Sequence, residues 1–369
     1  MNLLHTRPRF FVHSAIRRWL RLPFRRWRTL TLTSLLSALL TGCGLWPVPA
    51  EQGEKTPAPV KLSDGRALLW SGDIKQQALA MIRASRHRLY VDIYECSDPD
   101  LLHALIAARR RGVEVRVVLD ATEKHSMAVA LPTLARAGID VAPIRIKQGI
   151  DHVKMIIADR DVLIGGMNFG ADSWANHDAS VNLPGRAEIF LPMFVWDAAR
   201  AHGETAEAPE DRAPLISDRD IGPSVLRAIR GARREIDMEA FNLTDEDVVN
   251  ALRWAVARGV SVNILVDPSQ SRNRTAVEAL RQAGALVRYY RPYGGELLHA
   301  KILDVDHGTF FIIGSSNFTH QAFTYNHEAD VELMRVPAFA EAFESDLHRQ
   351  MARGSSYPIR EKVASWDES

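Results

Sequence analysis

Apolar and polar residues follow two kinds of pattern along the chain, and the same order of patterns occurs in each half. Short β-branched apolar runs predict buried strands, and apolar positions spaced by three and four predict helices. The first half gives a strand over 89–94, a helix over 101–110, a strand over 113–119, a helix over 128–137 that ends at Gly138, a strand over 139–144 and a hairpin over 154–164. The second half gives a helix over 248–257, a strand over 262–266, a helix over 275–283 and a hairpin over 302–313. Each half therefore predicts a β-α-β unit with a buried parallel sheet.

The two halves are related by a constant offset of 147 residues, which aligns Asp120 with Asp267 and Tyr94 with Phe241. A repeat maintained over this length indicates two homologous units. We therefore expect an α/β fold of two homologous lobes, related by a pseudo-two-fold axis, with a site in the cleft between them.

Each half also contains one copy of a polar motif. Its members are, at identical spacing, His152, Lys154 and Asp159 in the first half and His299, Lys301 and Asp306 in the second. Alternate positions of an extended strand face the same way, so the histidine and lysine of each copy are expected to face one space. A glycine-rich turn that ends in Asn168 or Asn317 follows each copy. Two such copies brought together would surround an anion with a nucleophile, an acid and two cations.

These residues resemble the phospholipase D superfamily, whose signature is His-x-Lys-x4-Asp followed by Gly-Ser-x-Asn. The resemblance covers residues from about 70 to 350 and includes both copies. It implies the phospholipase D fold and phosphodiester chemistry through a phosphohistidine, with His152 as the nucleophile and His299 as the acid. No metal and no other cofactor is expected, because lysines and amides can hold the phosphate oxygens.

The residue types indicate the remaining roles. A neutral imidazole can attack phosphorus, and a protonated imidazole can donate to the leaving alkoxide. The phosphate oxygens are expected to be held by Lys154, Lys301, Asn168, Asn317 and Ser315. Asp159 and Asp306 have two possible roles. They either fix the geometry of the hairpin or transfer a proton directly.

The first half departs from the family pattern after its turn. Many members of the family carry Asn-x-Glu there, as in Asn326-His327-Glu328, but the first half has Asn176-His177-Asp178. Glu328 and Asp178 are expected to orient the motif histidines. Gly166 stands where the family usually has serine, which removes one possible hydrogen bond.

Four other histidines lie near the motifs and are interpreted as exposed loop residues, namely His177, His307, His320 and His327. No cluster of side chains has metal-ligand spacing. The loops over 144–150 and 289–297 are expected to shape the opening for the substrate. Alternatively, the tyrosines of the second loop pack at the interface between the lobes.

The first 43 residues have the character of a signal peptide. Residues 1–28 contain eight arginines and no acid, and the uncharged run 29–40 is shorter than the ~20 residues that span a bilayer. Leu40-Thr41-Gly42-Cys43 resembles a bacterial lipobox, which implies cleavage before Cys43, diacylation of its thiol, and location on the periplasmic side of the outer membrane rather than at the inner membrane. Two alternatives stay open, which are an unmodified Cys43 at the end of a signal anchor and export by the twin-arginine route.

The expected domain order follows from these features. It is a signal peptide (1–42), a tether (43–66), a first phospholipase D-like repeat (67–202), an acidic linker punctuated by proline (203–214), a second repeat (215–355) and a C-terminal tail (356–369). Because both motif copies lie in one chain, we expect the monomer to be active.

The charge balance and the predicted anchor bear on the substrate. Without the eight N-terminal arginines, 38 basic residues remain against 45 acidic ones, and a net charge of about −7 disfavours broad binding to nucleic acid. A membrane tether and an acidic domain favour a phospholipid substrate at a phospholipid membrane, with water or an alcohol as the acceptor. The reaction would be phospholipase D hydrolysis or cardiolipin synthase-like phosphatidyl transfer. One alternative is a metal-independent endonuclease of the same superfamily, since the second turn also resembles bacterial endonucleases. A non-catalytic lipid-binding protein is disfavoured, because all four histidine and lysine positions are filled.

Overall fold

The computed structural model describes residues 56–359, which contain 15 strands and nine α-helices. The strands are β1 (Val60–Lys61), β2 (Ala67–Trp70), β3 (Arg88–Ile93), β4 (Glu114–Asp120), β5 (Asp140–Ile144), β6 (Lys154–Ala158), β7 (Asp161–Gly165), β8 (Ala179–Leu183), β9 (Leu215–Ser217), β10 (Glu235–Ala240), β11 (Ser261–Val266), β12 (Leu286–Tyr289), β13 (Lys301–Val305), β14 (Phe310–Gly314) and β15 (Ala329–Met334). The helices are α1 (Gly72–Ala84), α2 (Pro99–Arg110), α3 (Leu131–Arg136), α4 (Ala187–Ala201), α5 (Ile221–Gly231), α6 (Glu246–Ala257), α7 (Asn273–Ala283), α8 (His320–Thr324) and α9 (Pro337–Arg353).

The strands form two sheets, one from each repeat. The first has the order β1-β2-β8-β7-β6-β3-β4-β5, and the second has the order β12-β11-β10-β13-β14-β15-β9. The register is also repeated. Leu89 lies opposite Val115 in a parallel ladder and opposite Ala158 in an antiparallel one, and the residues 147 positions later pair in the same way. The expected pair of homologous α/β units is therefore present.

The sheets are mixed, whereas the sequence predicted a parallel arrangement. Only β3, β4 and β5 in the first sheet, and β10, β11 and β12 in the second, run parallel to one another. The motif hairpins add antiparallel strands beside them, β6–β7 and β13–β14. Several outer elements were not predicted, and β2 shows why, since all four of its residues are buried and no alternation marks it as a strand.

A central hydrophobic core joins the two repeats. It contains Phe190 and Phe194 of α4 together with Phe339 and Phe343 of α9, and it includes inward-facing residues of both sheets. Each sheet has a second, separate core on its outer face, under the helices of its own repeat. The two sheets therefore pack face to face around shared apolar contacts, and α4 and α9 belong to this central layer.

Residues 1–55 and 360–369 lie outside the described residues, so the expected signal peptide and the expected lipidation of Cys43 fall in a part of the chain that the structure does not describe. Residues 203–214 connect α4 to β9 and are mostly exposed. Between residues 56 and 359, no helix combines the length and the apolar character required to cross a bilayer.

Candidate active site

The backbone of each motif histidine pairs with the opposite repeat. His152 lies just before β6, and its N–H donates to the carbonyl of His327 at 2.8 Å. His299 lies just before β13, and its N–H donates to the carbonyl of His177, also at 2.8 Å. The two hydrogen bonds are equivalent, one from each repeat to the other, so both motif copies lie at the contact between the repeats.

Two buried aspartates that the repeat alignment had paired hold the residues before the motif histidines. Asp120, at the end of β4, accepts a hydrogen bond from the N–H of Asp151 at 2.6 Å, and Asp267, just after β11, accepts one from the N–H of Leu298 at 2.8 Å. Burial raises the pKa of Asp267 to about 6. Each motif strand is thus fixed at its entry by a carboxylate from the parallel part of its own sheet.

Glu328 of the second repeat orients His152 of the first. Its carboxylate lies 2.9 Å from Nδ1 of His152 and also accepts from the Ser315 hydroxyl at 2.6 Å and the Asn326 amide at 3.0 Å. Burial alone would raise the pKa of Glu328, but His152 and Lys154 hold it below its usual value. An ionised carboxylate at Nδ1 keeps a proton on that nitrogen and leaves Nε2 for chemistry.

Asp178 of the first repeat makes the equivalent contact to His299. Its Oδ2 lies 2.6 Å from Nδ1 of His299, and the backbone N–H of Ala179 donates to its Oδ1 at 2.8 Å. Burial alone would raise the pKa of Asp178, but His299 and Lys301 lower it. Both carboxylates that were expected to orient the histidines therefore contact a motif ring of the opposite repeat.

Gly166 is explained by the shorter side chain of Asp178. A Cβ atom added at Gly166 would lie 2.3 Å from Oδ1 of Asp178, inside any permitted contact. The second repeat pairs Ser315 with the longer Glu328, whereas the first pairs glycine with aspartate. The two departures from the family pattern thus compensate each other within one site.

The motif lysines lie beside their own histidines. Nζ of Lys154 donates to the carbonyl of His152 at 2.8 Å, and Nζ of Lys301 lies 2.9 Å from Nε2 of His299. All four side chains are buried. Each lysine also lies against an aromatic ring, and the two rings occupy equivalent positions in the two repeats. Nζ of Lys154 is 5.1 Å from the ring centre of Tyr94, and Nζ of Lys301 is 5.2 Å from that of Phe241.

Tyr94 and Phe241 are site residues that the sequence reasoning missed. The ring centre of Tyr94 is 5.3 Å from that of His152, and the ring centre of Phe241 is 4.8 Å from that of His299. Their alignment at the offset of 147 was the available signal. The rings supply a cation–π contact to each lysine and limit the space around each imidazole.

The residues expected to hold phosphate lie in the turns after the motif hairpins. Asn168 is buried, and Asn317 is half-buried. The hydroxyl of Ser315 is directed to Glu328, and its oxygen accepts from the N–H of Ala329 at 3.0 Å. These contacts connect Ser315 to the carboxylate that binds His152.

Asp159 and Asp306 lie at the far ends of the motif strands. Five strand residues separate Asp159 from the start of β6, which corresponds to about 16 Å. Each aspartate has a positive φ of 52° and accepts hydrogen bonds from three successive backbone N–H groups, those of residues 86–88 or 233–235. Of the two roles left open, these contacts favour fixing the hairpin over proton transfer.

The interpretation of His177 and His327 as exposed loop residues was wrong. Both are buried, with 1% and 2% of their surface exposed. Polar side chains are stable in the interior only when they are paired, and the partners here are carboxylates far away in sequence. Of the other two histidines in that group, His320 is exposed, and His307 is half-buried against Glu344.

The buried histidines form two related groups. We call His327 with Asp92 and Asp197 the first inner cluster, and His177 with Glu239 and Asp346 the second inner cluster. Within each cluster, one ligand-type atom per residue lies within 4.8 Å of the others.

A divalent ion could use such donors, contrary to the expectation that no cluster has metal-ligand spacing. The ring contacts have the lengths of hydrogen bonds and ion pairs, however. Nδ1 of His327 is 2.8 Å from Asp218 and Nε2 is 3.0 Å from Asp197, and Nε2 of His177 is 3.1 Å from Asp346. A protonated ring offers these carboxylates a counter-charge, whereas both carboxylate oxygens of Asp92 have no hydrogen-bond partner among the described residues.

The loops expected to shape the opening differ in their exposure. Residues 146–148 border a surface cavity of about 860 Å³, beside His327 and residues 217–220. In the other loop, Tyr290 is buried, with its hydroxyl donating to Glu296 at 2.9 Å and its ring centre 5.4 Å from that of His177. Tyr290 therefore packs at the contact between the repeats.

The fold and the paired motifs define a class of protein, the two-repeat members of the phospholipase D superfamily. The model of the family described as cardiolipin synthase, PLD-like domain, matches residues 78–186 and 225–351, so the chain belongs to this family. Both matched segments contain a complete His-x-Lys motif.

The chain is similar to bacterial cardiolipin synthases. It is 25% identical over 332 residues to the cardiolipin synthase of Halalkalibacterium halodurans, with 75% of this chain and 64% of the relative covered. It is 27% identical over 329 residues to cardiolipin synthase A of Pseudomonas putida GB-1, with 76% and 67% covered. The chain thus spans somewhat less than two thirds of the first of these relatives.

Solved structures support the fold. The phosphatidylserine synthase of Haemophilus influenzae superposes with a TM-score of 0.63 at 14% identity, over 80% of this chain and 88% of that one. The polyphosphate kinase of Porphyromonas gingivalis gives 0.57 at 16% identity, over 78% and 47%. At these identities the likeness establishes the shared architecture alone.

Proposed function

We propose that this chain is a phosphatidyltransferase that acts on phospholipids through a phosphohistidine. The observation that carries the proposal is the pair of motif histidines, each bound at Nδ1 by a buried carboxylate of the opposite repeat. That arrangement assigns Nε2 of each ring, which in His299 lies 2.9 Å from Nζ of Lys301, to bond formation or proton transfer, and two successive displacements at phosphorus require both.

In the first step, Nε2 of His152 attacks the phosphorus of the phosphodiester. The P–N bond forms, the P–O bond to the leaving alcohol breaks, and His299 gives its proton to that oxygen. Lys154 and Lys301 offset the charge on the non-bridging oxygens as it redistributes. Because Glu328 is ionised beside His152, the ring can carry positive charge as the bond forms.

In the second step, His299 removes the proton from the hydroxyl of the acceptor. The acceptor oxygen attacks phosphorus, and the P–N bond to His152 breaks. An alcohol gives transfer and water gives hydrolysis, so the access of water to the site sets the ratio of products.

Phospholipid is supported as the substrate by two independent features. The matching family is described as cardiolipin synthase, PLD-like domain, and the two relatives compared above are cardiolipin synthases. The charge of about −7 without the N-terminal arginines opposes broad contact with a nucleic acid. We therefore propose phosphatidyl transfer between two phosphatidylglycerol molecules, which would form cardiolipin and release glycerol.

The test is a direct comparison of substrates. Purified full-length protein is offered phosphatidylglycerol, phosphatidylethanolamine and plasmid DNA, with and without EDTA, and the products are identified by mass spectrometry and gel electrophoresis. We expect cardiolipin and glycerol from phosphatidylglycerol, with EDTA having no effect, and no product from a His152→Ala control. Plasmid cleavage that depends on both motif histidines and exceeds turnover of every phospholipid would replace the proposal with a nuclease.

We extend the proposal to the N-terminus and the repeats. Residues 1–42 would be a signal peptide, Cys43 a diacylated anchor in the bacterial cell envelope, and residues 67–202 and 215–355 two repeats that act together in one monomer. Cys43→Ser should lose the lipid mass and leave the membrane fraction or remain an unprocessed precursor. A Cys43→Ser variant with the mass and fractionation of wild type would exclude the lipid anchor.

A further inference from the structure

Each inner cluster closes a path of contacts that starts at a motif histidine, passes through the opposite repeat and ends at an acid of the repeat that carries the motif histidine. His152 belongs to the first repeat, and its ring and backbone N–H bind Glu328 and His327 of the second. The ring of His327 in turn lies 3.0 Å from Asp197 on α4 of the first repeat. The contacts form a closed path that leaves the first repeat at His152 and returns to it at α4.

The second inner cluster makes the same path in the other direction. His299 binds Asp178 through its ring and the carbonyl of His177 through its backbone. His177 lies 3.2 Å from Glu239 on β10 and 3.1 Å from Asp346 on α9, both in the second repeat. In both paths, the buried histidine immediately precedes the carboxylate that orients the motif ring.

We propose that His177 and His327 are positioning residues, each of which fixes the segment carrying one orienting carboxylate by binding acids of the opposite repeat. His327 acts on His152 through Glu328, and His177 acts on His299 through Asp178. Neither inner histidine contacts the reacting atoms. The consequence for catalysis rests on the proposed function, whereas the geometric assignment does not.

The charged groups around the inner histidines favour protonated, positively charged rings at these two positions. The groups facing His327 are Asp92 of β3, Asp151 before β6, Asp197 and Arg200 of α4, and Asp218 before α5. Those facing His177 are Glu239 of β10, Asp346 and Arg349 of α9, and Asp178 next to it. Acids outnumber bases in both sets. Burial raises the pKa of Asp92, Asp151 and Glu239, whereas Asp197 is held below its usual pKa, so a protonated ring supplies the counter-charge to an acid that stays ionised.

The direction of the pKa shifts agrees with this. Burial alone would lower the pKa of His327, but Asp197 and Asp218 raise it well above 6.5. Glu239 and Asp346 act on His177 in the same sense. A raised folded-state pKa means that the contribution to stability is complete below the unfolded value and is lost as the pH rises through the folded value. Both shifts favour the charged form of the ring.

The test uses His177→Gln and His327→Gln in the full-length protein, with 15N NMR titration of the histidine rings. We expect His327→Gln to displace the titration of His152 and leave that of His299 unchanged, and His177→Gln to do the reverse. Leu252→Ala, which opens the outer core of the second repeat, is the control for global destabilisation and should leave both titrations unchanged. Displacement of both motif histidines by each variant, or of neither, would overturn the proposal.

Kinetics give a second readout. Each glutamine variant should lower kcat about 10-fold to 100-fold with little change in KM, because a displaced orienting group costs that much. His202→Gln, which removes an exposed pair with Asp140, should keep both constants.

A wild-type protein that turns over no phosphodiester would refute the proposed function, and the ring titrations would still decide the positioning. One equivalent of a divalent ion in the wild type, absent from His327→Gln, would instead make the first inner cluster a metal site.

Discussion

Replacing Glu328 by glutamine tests whether an ionised group is required at Nδ1 of His152. The substitution keeps the size of the side chain and removes its charge. In the wild type, the carboxylate accepts from His152 at 2.9 Å, from Ser315 at 2.6 Å and from Asn326 at 3.0 Å. A single amide oxygen cannot replace two carboxylate oxygens toward three donors, and the amide N–H group would face one of them.

The magnitude follows from the contact that is lost. A hydrogen bond to a charged group contributes about 1.5–3 kcal/mol, and about 1.4 kcal/mol corresponds to tenfold in rate. If that stabilisation is needed when His152 becomes cationic, kcat for Glu328→Gln should fall by about 10-fold to 150-fold. KM should change little, because Glu328 is fully buried behind the histidine.

The assay is steady-state turnover of the phospholipid that the substrate comparison identifies, with thermal unfolding measured in parallel. Glu344→Gln is the matched control, since Glu344 binds Nδ1 of His307 at 2.9 Å on a partly exposed surface and should keep wild-type kcat. A folded Glu328→Gln protein with kcat within about twofold of wild type would refute the reasoning, because that factor is far below the value of one charged hydrogen bond.

Three further predictions concern the same site. His152→Ala and His299→Ala should each remove nearly all turnover and leave the circular dichroism spectrum unchanged, and substantial activity in either would exclude a two-histidine mechanism. Turnover stopped with base should leave an acid-labile phosphoramidate that peptide mapping places on His152, whereas recovery on His299 alone would reverse the two roles. Gly166→Ala should lower kcat by displacing Asp178, since the new Cβ would lie 2.3 Å from its carboxylate, and Gly72→Ala, with no atom within 4 Å, should have no effect. Equal kcat in the two alanine variants would show that the close contact at residue 166 is relieved without moving Asp178.

The repeat made the architecture predictable. A constant offset preserved the strand register as well as the motif, so elements identified in one half could be located in the other. The mixed character of the sheets was not predicted, because buried strands in parallel and antiparallel ladders have similar apolar sequences. Short outer strands such as Leu215–Ser217 carry too few residues for a pattern to be visible.

The crossing of the orienting groups could not be predicted from spacing. Within one repeat, nothing distinguishes a carboxylate that binds its own histidine from one that binds the partner copy. The inner clusters were missed because their acids lie on β3, β10, α4 and α9, far in sequence from the histidines. A signal was nevertheless present, since Asp197 and Asp346 are buried acids among the apolar residues that α4 and α9 direct into the central core. Such acids require partners, and the unassigned histidines were candidates in addition to Arg200 and Arg349, which lie one helical turn away.

The two orienting carboxylates differ in a way that supports the assignment of roles. Glu328 shares its charge among the His152 ring, a hydroxyl and an amide, whereas Asp178 accepts from the His299 ring and one backbone N–H. A carboxylate with fewer competing donors stabilises an adjacent imidazolium more strongly, and the shorter contact, 2.6 Å against 2.9 Å, belongs to His299. This difference motivates the proposed roles, in which His299 holds the proton for the leaving group and His152 attacks, and the position of the phosphoramidate tests them. The replacement of serine and glutamate by glycine and aspartate in the first repeat thus breaks the pseudo-symmetry at the point where a two-step displacement needs two unlike histidines.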